Sequence, residues 1–212
     1  MDPALLSIVP DSVRRAYDMK KVVAAIVDSG RLDVDAADKA ARFIMLCDAF
    51  HIPLVFLEDG PGFMVGSKVE RQGIVRHGAK MLYAVSEATV PKVTVVVRKA
   101  YGAGHFVMWG KACEPDLIVA WPTAEISVMG PEGGTNIIFR TEIAAAADPE
   151  AERARRIEEF RELINPYISA GGALIDDVID PRETRPTLIR ALEMAATKKA
   201  ERPWKKHGIM PV

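Results

Sequence analysis

Residues 92–106 read KVTVVVRKAYGAGHF. The first seven, Lys92 to Arg98, are dominated by β-branched side chains, which predicts a strand. The glycine turn Tyr101-Gly102-Ala103-Gly104 follows and leads into a short apolar helix or turn that runs through Met108. The same grammar recurs on both sides. Upstream, the apolar run Leu54-Val55-Phe56-Leu57 suits a strand buried on both faces, and the turn Asp59-Gly60-Pro61-Gly62-Phe63-Met64-Val65-Gly66 closes it. Downstream, Asp116–Ala120 reads as a third strand and Ile126–Met129 as a short fourth. A helix is predicted from Asp35 to Phe50, with Ala36, Lys39, Ala40, Phe43, Ile44 and Cys47 as its stripe, and a longer one over Val69–Ala88. Helices alternating with strands that end in glycine turns define the α/β class with a mostly parallel buried sheet.

The flanks are less regular. Residues 1–16, broken by Pro3 and Pro10, read as an arm, and a helix is expected from Tyr17 until Gly30 stops it. The chain turns helical again after Gly134. Residues 149–164 form a heavily charged helical stretch, Leu174–Ile179 a last short strand and Thr184–Lys199 an amphipathic helix, before the basic tail RPWKKHG. No linker rich in Gly and Ser interrupts the chain. One domain over 1–212 is expected: an arm and helix over 1–30, a core over 31–140 and a helical extension over 141–212.

Composition narrows the function classes. The chain has 212 residues, enough for a sizeable core, with 49% apolar and 27% charged residues. Its 28 basic and 29 acidic side chains leave a formal net charge of −1, without the basic excess that displaces phosphate counterions. Nucleic acid is therefore not an expected partner. Two cysteines, Cys47 and Cys113, lack metal-ligand spacing and argue against a disulfide scaffold. The N-terminus has no signal-peptide pattern, and no apolar run approaches the about 20 residues of a membrane span. A cytoplasmic protein without direct membrane insertion is expected.

The segments able to carry chemistry are the glycine turns. A strand that ends in small residues and hands over to a helix leaves backbone N–H groups unpaired, and these donors with the helix dipole stabilise a negative charge. Small residues let a ligand approach the backbone. The turn at 101–105 is the first such site; the alternative is that its glycines only make a tight turn. A dinucleotide fingerprint is a poor fit, because Val107 stands where a third glycine belongs. The turn at 58–63 and the cluster Trp121–Glu125 with Met129–Gly134 lie after the other strands, so all three could open on one side of the sheet, where an α/β crevice forms. Tyr101 and Phe106 either line that pocket or pack in the core. His105 is either a pocket residue or a structurally satisfied histidine. The basic side chains of the tail (Lys198, Lys199, Arg202, Lys205 and Lys206) read as a solvated end.

The strings DAADKAARFIMLCDAFHIPLVFLEDGPGFMVG (35–66), GIVRHGAKMLYAVSEATVPKVTVVVRKAYGAG (73–104), AWPTAEISVMGPEGGTNIIFR (120–140), IDDVIDPRETR (175–185) and ERPWKKHG (201–208) resemble the C-terminal half of the carboxyltransferase β subunit of biotin-dependent acyl-CoA carboxylases, the propionyl-CoA carboxylase type in particular. The resemblance runs from about Ile8 to the end. It implies a crotonase-like spiral of β-β-α units in which the C-terminal half receives carboxybiotin and a separate N-terminal half, absent here, binds the acyl-CoA. The partners implied are a biotin carboxyl carrier or biotin carboxylase subunit and an N-terminal half or further copies, commonly in a hexamer. The family's oxyanion hole maps onto the backbone N–H groups of Ala103 and Gly104, which would stabilise the ureido oxyanion of biotin. Gly62, Phe63 and Gly102 would hold biotin, and Tyr101, His105 and Phe106 would shape the substrate pocket. No metal is implied in this chain. The same site run in reverse would serve a biotin-dependent acyl-CoA decarboxylase, and a non-catalytic remnant that associates with full-length subunits is a third possibility.

Two departures from the family stand out. Propionyl-type members usually read Gly-Gly-Ala-Tyr-Asp through the turn, where this chain has Gly102-Ala103-Gly104-His105-Phe106. The Asp position, linked in the family to acyl-chain choice, is Phe106. In addition, Ile26–Gly30 runs directly into Arg31–Asp35, where family members have some tens of residues between; either the chain is shortened here, in which case its sheet would expose edges that need a partner to cover them, or the intervening residues are left out of the numbering.

Overall fold

The computed structural model describes residues 32–201, 204 and 208–212. The arm and helix expected over 1–30, and the Gly30–Arg31 junction, lie outside the described residues.

A parallel sheet organises the rest. Strand β2 (Lys92–Tyr101) pairs along one edge with β1 (Leu54–Gly60) and along the other first with β3 (Leu117–Ala120) and then with β4 (Glu125–Ser127). A two-residue β5 (Asp177–Val178), shorter than the expected Leu174–Ile179, extends the sheet beyond β3. Strand β2 runs three residues past the expected Arg98, because its polar end has partners. Asp59 accepts hydrogen bonds from the Arg98 guanidinium and from the Lys99 backbone N–H, just where the β1–β2 register slips between Glu58 and Gly60. Strand β1 was expected to be buried on both faces. Instead Leu54, Phe56 and Glu58 are buried while Val55 and Leu57 are half-buried, as in a strand with one face on the core.

Helix α1 (Val34–Ala49) begins at Asp33, whose carboxylate accepts from the Ala36 N–H at 2.8 Å, a cap worth about 1 kcal/mol. Its buried stripe is Ala37, Ala40, Ala41, Ile44 and Cys47, rotated from the expected one, and leaves Lys39 exposed. The single helix expected over 69–88 is split: Gly73, at φ +87°, separates α2 (Ser67–Arg71) from α3 (Ile74–Glu87). Helices α1 and α3 pack on the sheet face carrying Phe56, around Met81, Val85, Val107 and Trp109. Val96, Ile118, Ala120 and Ile175 form a second cluster, and Val95, Val119 and Ile179 a third. Lys92 is buried at the start of β2, where its ammonium donates to the Val85 and Ala88 carbonyls and lies 4.0 Å from the centre of the Trp109 ring. A cation there donates to carbonyls at the C-terminal end of α3, where basic groups are favoured.

Short helix α4 (Ala103–Val107) follows β2. Helix α5 (Pro131–Ile138) lies ahead of the expected extension, which then holds α6 (Arg140–Ala145), α7 (Pro149–Leu163), α8 (Pro166–Gly171) and α9 (Thr184–Met194); the helix expected over Thr184–Lys199 ends at Met194. On α7, Arg155 and Arg156 pair with Glu152 and Glu159 at helical spacing, largely in solvent, where such pairs add little. Among the described residues, no helix is long and apolar enough to cross a membrane.

Candidate functional site

The end of β2 is built to bare its backbone. Gly102 sits at φ +57°, ψ −137°, and a Cβ there would lie 2.9 Å from the Val128 carbonyl oxygen, so both conformation and space call for glycine. Its N–H donates to the Ser127 carbonyl at 2.9 Å, which anchors the turn to β4. Helix α4 then starts at Ala103, and its first internal bond is His105 N–H to the Gly102 carbonyl at 3.1 Å. The N–H groups of Ala103 and Gly104 come before that bond and donate to no group among the described residues. Ala103 is exposed and Gly104 buried. The helix behind them has five residues, so the two donors themselves, more than a helix dipole, make the turn receptive to negative charge.

All three glycine clusters meet here. A Cβ on Gly104 would sit 2.8 Å from the Cα of Gly62, and one on Gly62, at φ +103°, would sit 3.1 Å from the Tyr101 carbonyl oxygen. The 58–63 turn is therefore in backbone contact with the 101–105 turn. From the third cluster, Gly130 lies under the Tyr101 ring, where a Cβ would be 3.1 Å from Cε2.

The side chains divide. Tyr101 is buried and donates its hydroxyl to Glu125. Burial, reinforced by Glu125, pushes the phenol well above its ordinary pKa and keeps it a donor. His105 turns back into the protein, with Nδ1 2.8 Å from Glu58 Oε2 and its ring against Gly110. Phe63 directs its ring at Gly78 of α3, and its backbone runs beside Leu32. Phe106, 46% exposed, is presented at the surface. Of the three residues expected to shape the pocket, the polar groups of Tyr101 and His105 are engaged internally, which leaves Phe106 as the free side chain.

Two carboxylates of the site were not singled out by sequence. Glu58 is 2% exposed, and burial raises its pKa against the opposing pull of His105. Asp59 faces the other way, onto Arg98 and Lys99. The period of two from Leu54 through Phe56 places Glu58 on the inward face and was the available signal.

Comparison with known proteins finds relatives over most of the chain. Residues 28–210 match the carboxyl transferase domain family. The chain is 47% identical to the methylmalonyl-CoA carboxyltransferase 12S subunit of Propionibacterium freudenreichii subsp. shermanii, over 98% of this chain and 47% of that protein. It is 52% identical to the propionyl-CoA carboxylase carboxyltransferase subunit of Haloferax mediterranei, over 88% and 36%. It is 42% identical to the methylmalonyl-CoA decarboxylase subunit alpha of Propionigenium modestum, over 99% and 48%. A crystal structure of the transcarboxylase 12S hexamer, with methylmalonyl-coenzyme A and methylmalonic acid bound, superposes with a TM-score of 0.83 at 47% identity, covering 99% of this chain and 48% of that one.

The chain spans about half the length of the curated relatives it matches, or less. The alignment with the 12S subunit occupies 245 positions against the 212 residues here, so at least 33 of its positions have no counterpart in this chain. The architecture is that of the crotonase-fold carboxyltransferases. A parallel sheet, two amides in its central glycine turn without an acceptor among the described residues, and a family match across most of the chain lead to one statement: the chain belongs to the carboxyl transferase domain family.

Proposed function

We propose that this chain forms the biotin-facing half of a carboxyltransferase, moving carboxylate between carboxybiotin on a carrier protein and the α-carbon of an acyl-CoA. The observation that carries this reading is the pair of adjacent N–H groups at Ala103 and Gly104 that have no acceptor among the described residues. Biotin, when bound, supplies a ureido oxygen on which negative charge collects as carboxylate departs. The turn fits such a group: Gly102 and Gly104 carry no Cβ, Ala103 is exposed, and the two neutral donors are adjacent. Donors fixed before the reaction stabilise developing charge without reorganising, typically by about 2.7–4 kcal/mol per donor. Gly62 backs Gly104, and Gly102 aims the pair through its bond to Ser127. Phe106 would border the acyl end. The acyl-CoA site would come from an N-terminal carboxyltransferase half, in the same assembly or a further copy, and the chain alone is expected to show no turnover.

The test is Ala103→Pro. Proline removes the first of the two N–H groups at a helix position that tolerates it, and the exposed site has room. With an N-terminal half supplied, biotin-dependent turnover of a malonyl-type CoA ester should fall about 10²–10³-fold, with thermal stability unchanged. An unchanged rate in the folded variant rejects the oxyanion role. Wild-type turnover that stays absent with the N-terminal half present favours a binding-only chain.

The decarboxylase relative supports a second reading, the same site run toward CO2 release. Measuring the forward and reverse rates on one acyl-CoA pair separates the two.

A further inference from the structure

The turn that bears the free amides is tied to the rest of the site by a pair of groups with no role in the reading above. Glu58, on the inward face of β1, is 2% exposed, and its Oε2 lies 2.8 Å from Nδ1 of His105, whose side chain is 17% exposed. His105 immediately follows Gly104, and Glu58 lies four residues before Gly62. The pair therefore bridges the two segments whose backbones meet at Gly62 and Gly104, where a Cβ would stand only 2.8 Å from the facing Cα. Asp59 adds a second tie between the same segments through Arg98 and the Lys99 N–H.

A buried carboxylate–imidazole pair is an expensive way to hold two segments together, since well-packed apolar residues of similar volume often do as well or better for stability. Its distinguishing property is direction: a hydrogen bond fixes one orientation, whereas apolar contacts allow several. We propose that Glu58 and His105 are positioning residues, which lock the Ala103–Gly104 amides in one orientation against the Gly62 turn. The inference deepens the carboxyltransfer reading and rests on it only for what the amides bind. Misplacing a reacting group by about 1 Å can cost on the order of 100-fold in rate, so a small loosening here would be functionally large.

The test separates orientation from stability. The double variant Glu58→Leu/His105→Leu replaces the pair with apolar side chains, and Glu58→Gln keeps a group that can accept from His105. On ¹⁵N-labelled full chain, thermal unfolding and the amide resonances of Ala103 and Gly104 are recorded, with and without D-biotin. The expected result is that the double variant melts no lower than wild type. Its two turn amides broaden or split while amides of α7 do not move, and their response to biotin weakens at least tenfold. Glu58→Gln returns both to within twofold of wild type. If the double variant does not fold, Glu58→Met, which leaves His105 in place with its carboxylate partner removed, is read in the same way. Sharp, unshifted turn amides with a biotin response within twofold of wild type would overturn the positioning role. If biotin moves neither amide in the wild type, the carboxyltransfer reading of this turn fails, and the line shapes in the variants still decide the role of the pair.

Discussion

Gly104→Ala perturbs the site where its two glycine turns come closest, backbone to backbone. Gly104 does not have a positive φ, so alanine meets no backbone strain; the obstacle is the neighbouring turn. The added Cβ would stand 2.8 Å from the Gly62 Cα, and an ordinary contact begins near 3.4 Å, so the two turns must separate by about 0.6 Å. The atom in the way is main chain, held by Met64 N–H to the Leu32 carbonyl at 2.9 Å and by the bridge between Leu32 and Phe63, and it cannot swing aside as a side chain tip would. Overpacking of this kind costs about 1–3 kcal/mol. The displacement also carries the Gly104 N–H with it, so a rate loss of roughly tenfold or more should accompany a much smaller change in acyl-CoA KM. Urea unfolding measures the first effect, and turnover with a supplied N-terminal half measures the second. A variant within 0.5 kcal/mol of wild type by a unfolding criterion of about that precision, and equally active, would show that the two backbones are not in contact and would remove the basis for treating the turns as one site.

Other outcomes follow from neighbouring features. Gly133, in the interior of α5 with open space around its Cβ position, should gain about 0.4–1 kcal/mol on change to alanine, while Gly134, whose Cβ would lie 2.9 Å from the Phe160 ring, should not; paired urea melts decide. Glu58 has a folded-state pKa raised by burial, so the stability it contributes is fully present below its unfolded value near 4.5 and is lost as pH rises through the raised value. The stability of Glu58→Gln relative to wild type should therefore increase with pH from about 4.5 upward, and parallel stability-versus-pH curves would contradict this. Burial, helped by Asp48, pushes the Cys47 thiol up to about 11; burial also raises the Cys113 thiol, against the pull of Lys92, but Cys113 is only half-buried and so remains reachable. A maleimide should label Cys113 in the folded chain and reach Cys47 only on unfolding, as peptide mapping would show.

The fold was legible where local chemistry and burial agree. The β-branched run of β2 and the glycine turns behind β1 and β2 could be read directly, whereas the meeting of three turns on one side of the sheet was one of two open possibilities until the contacts at Gly62, Gly104 and Gly130 decided it. The reading failed where a long-range partner overrode a local signal. Arg98 and Lys99 look like the end of a strand until Asp59, 39 and 40 positions earlier, is seen to bond both. Lys92 reads only as the first residue of a strand, and its burial shows once the Val85 and Ala88 carbonyls and the Trp109 ring are brought to it. Gly73 was hidden inside an apolar periodicity that continues on both sides of it, and only its left-handed backbone reveals the break. Unpaired donors somewhere in the 101–105 turn could be anticipated from its glycines, and their assignment to 103 and 104 from the family resemblance, but the His105–Glu58 pair could not, because nothing local marks which carboxylate a histidine will find.

Strand β2 changes neighbours partway along its far edge, from β3 at Val93–Val96 to β4 at Lys99–Tyr101. The sheet thus forks directly below the free amides, and the shorter prong is only three residues long. That prong is itself fastened to the helical layer, since Ile126 N–H donates to the Ile164 carbonyl at 2.9 Å. A slip of one residue in the prong would put a different carbonyl opposite Gly102 and would turn every side chain along it to the other face. The spacing of the charged helices beyond the fork is thereby a gauge for the anion-receiving turn, and insertions that lengthen the route from Ser127 to Ile164 are tolerable only where they leave that three-residue registration untouched.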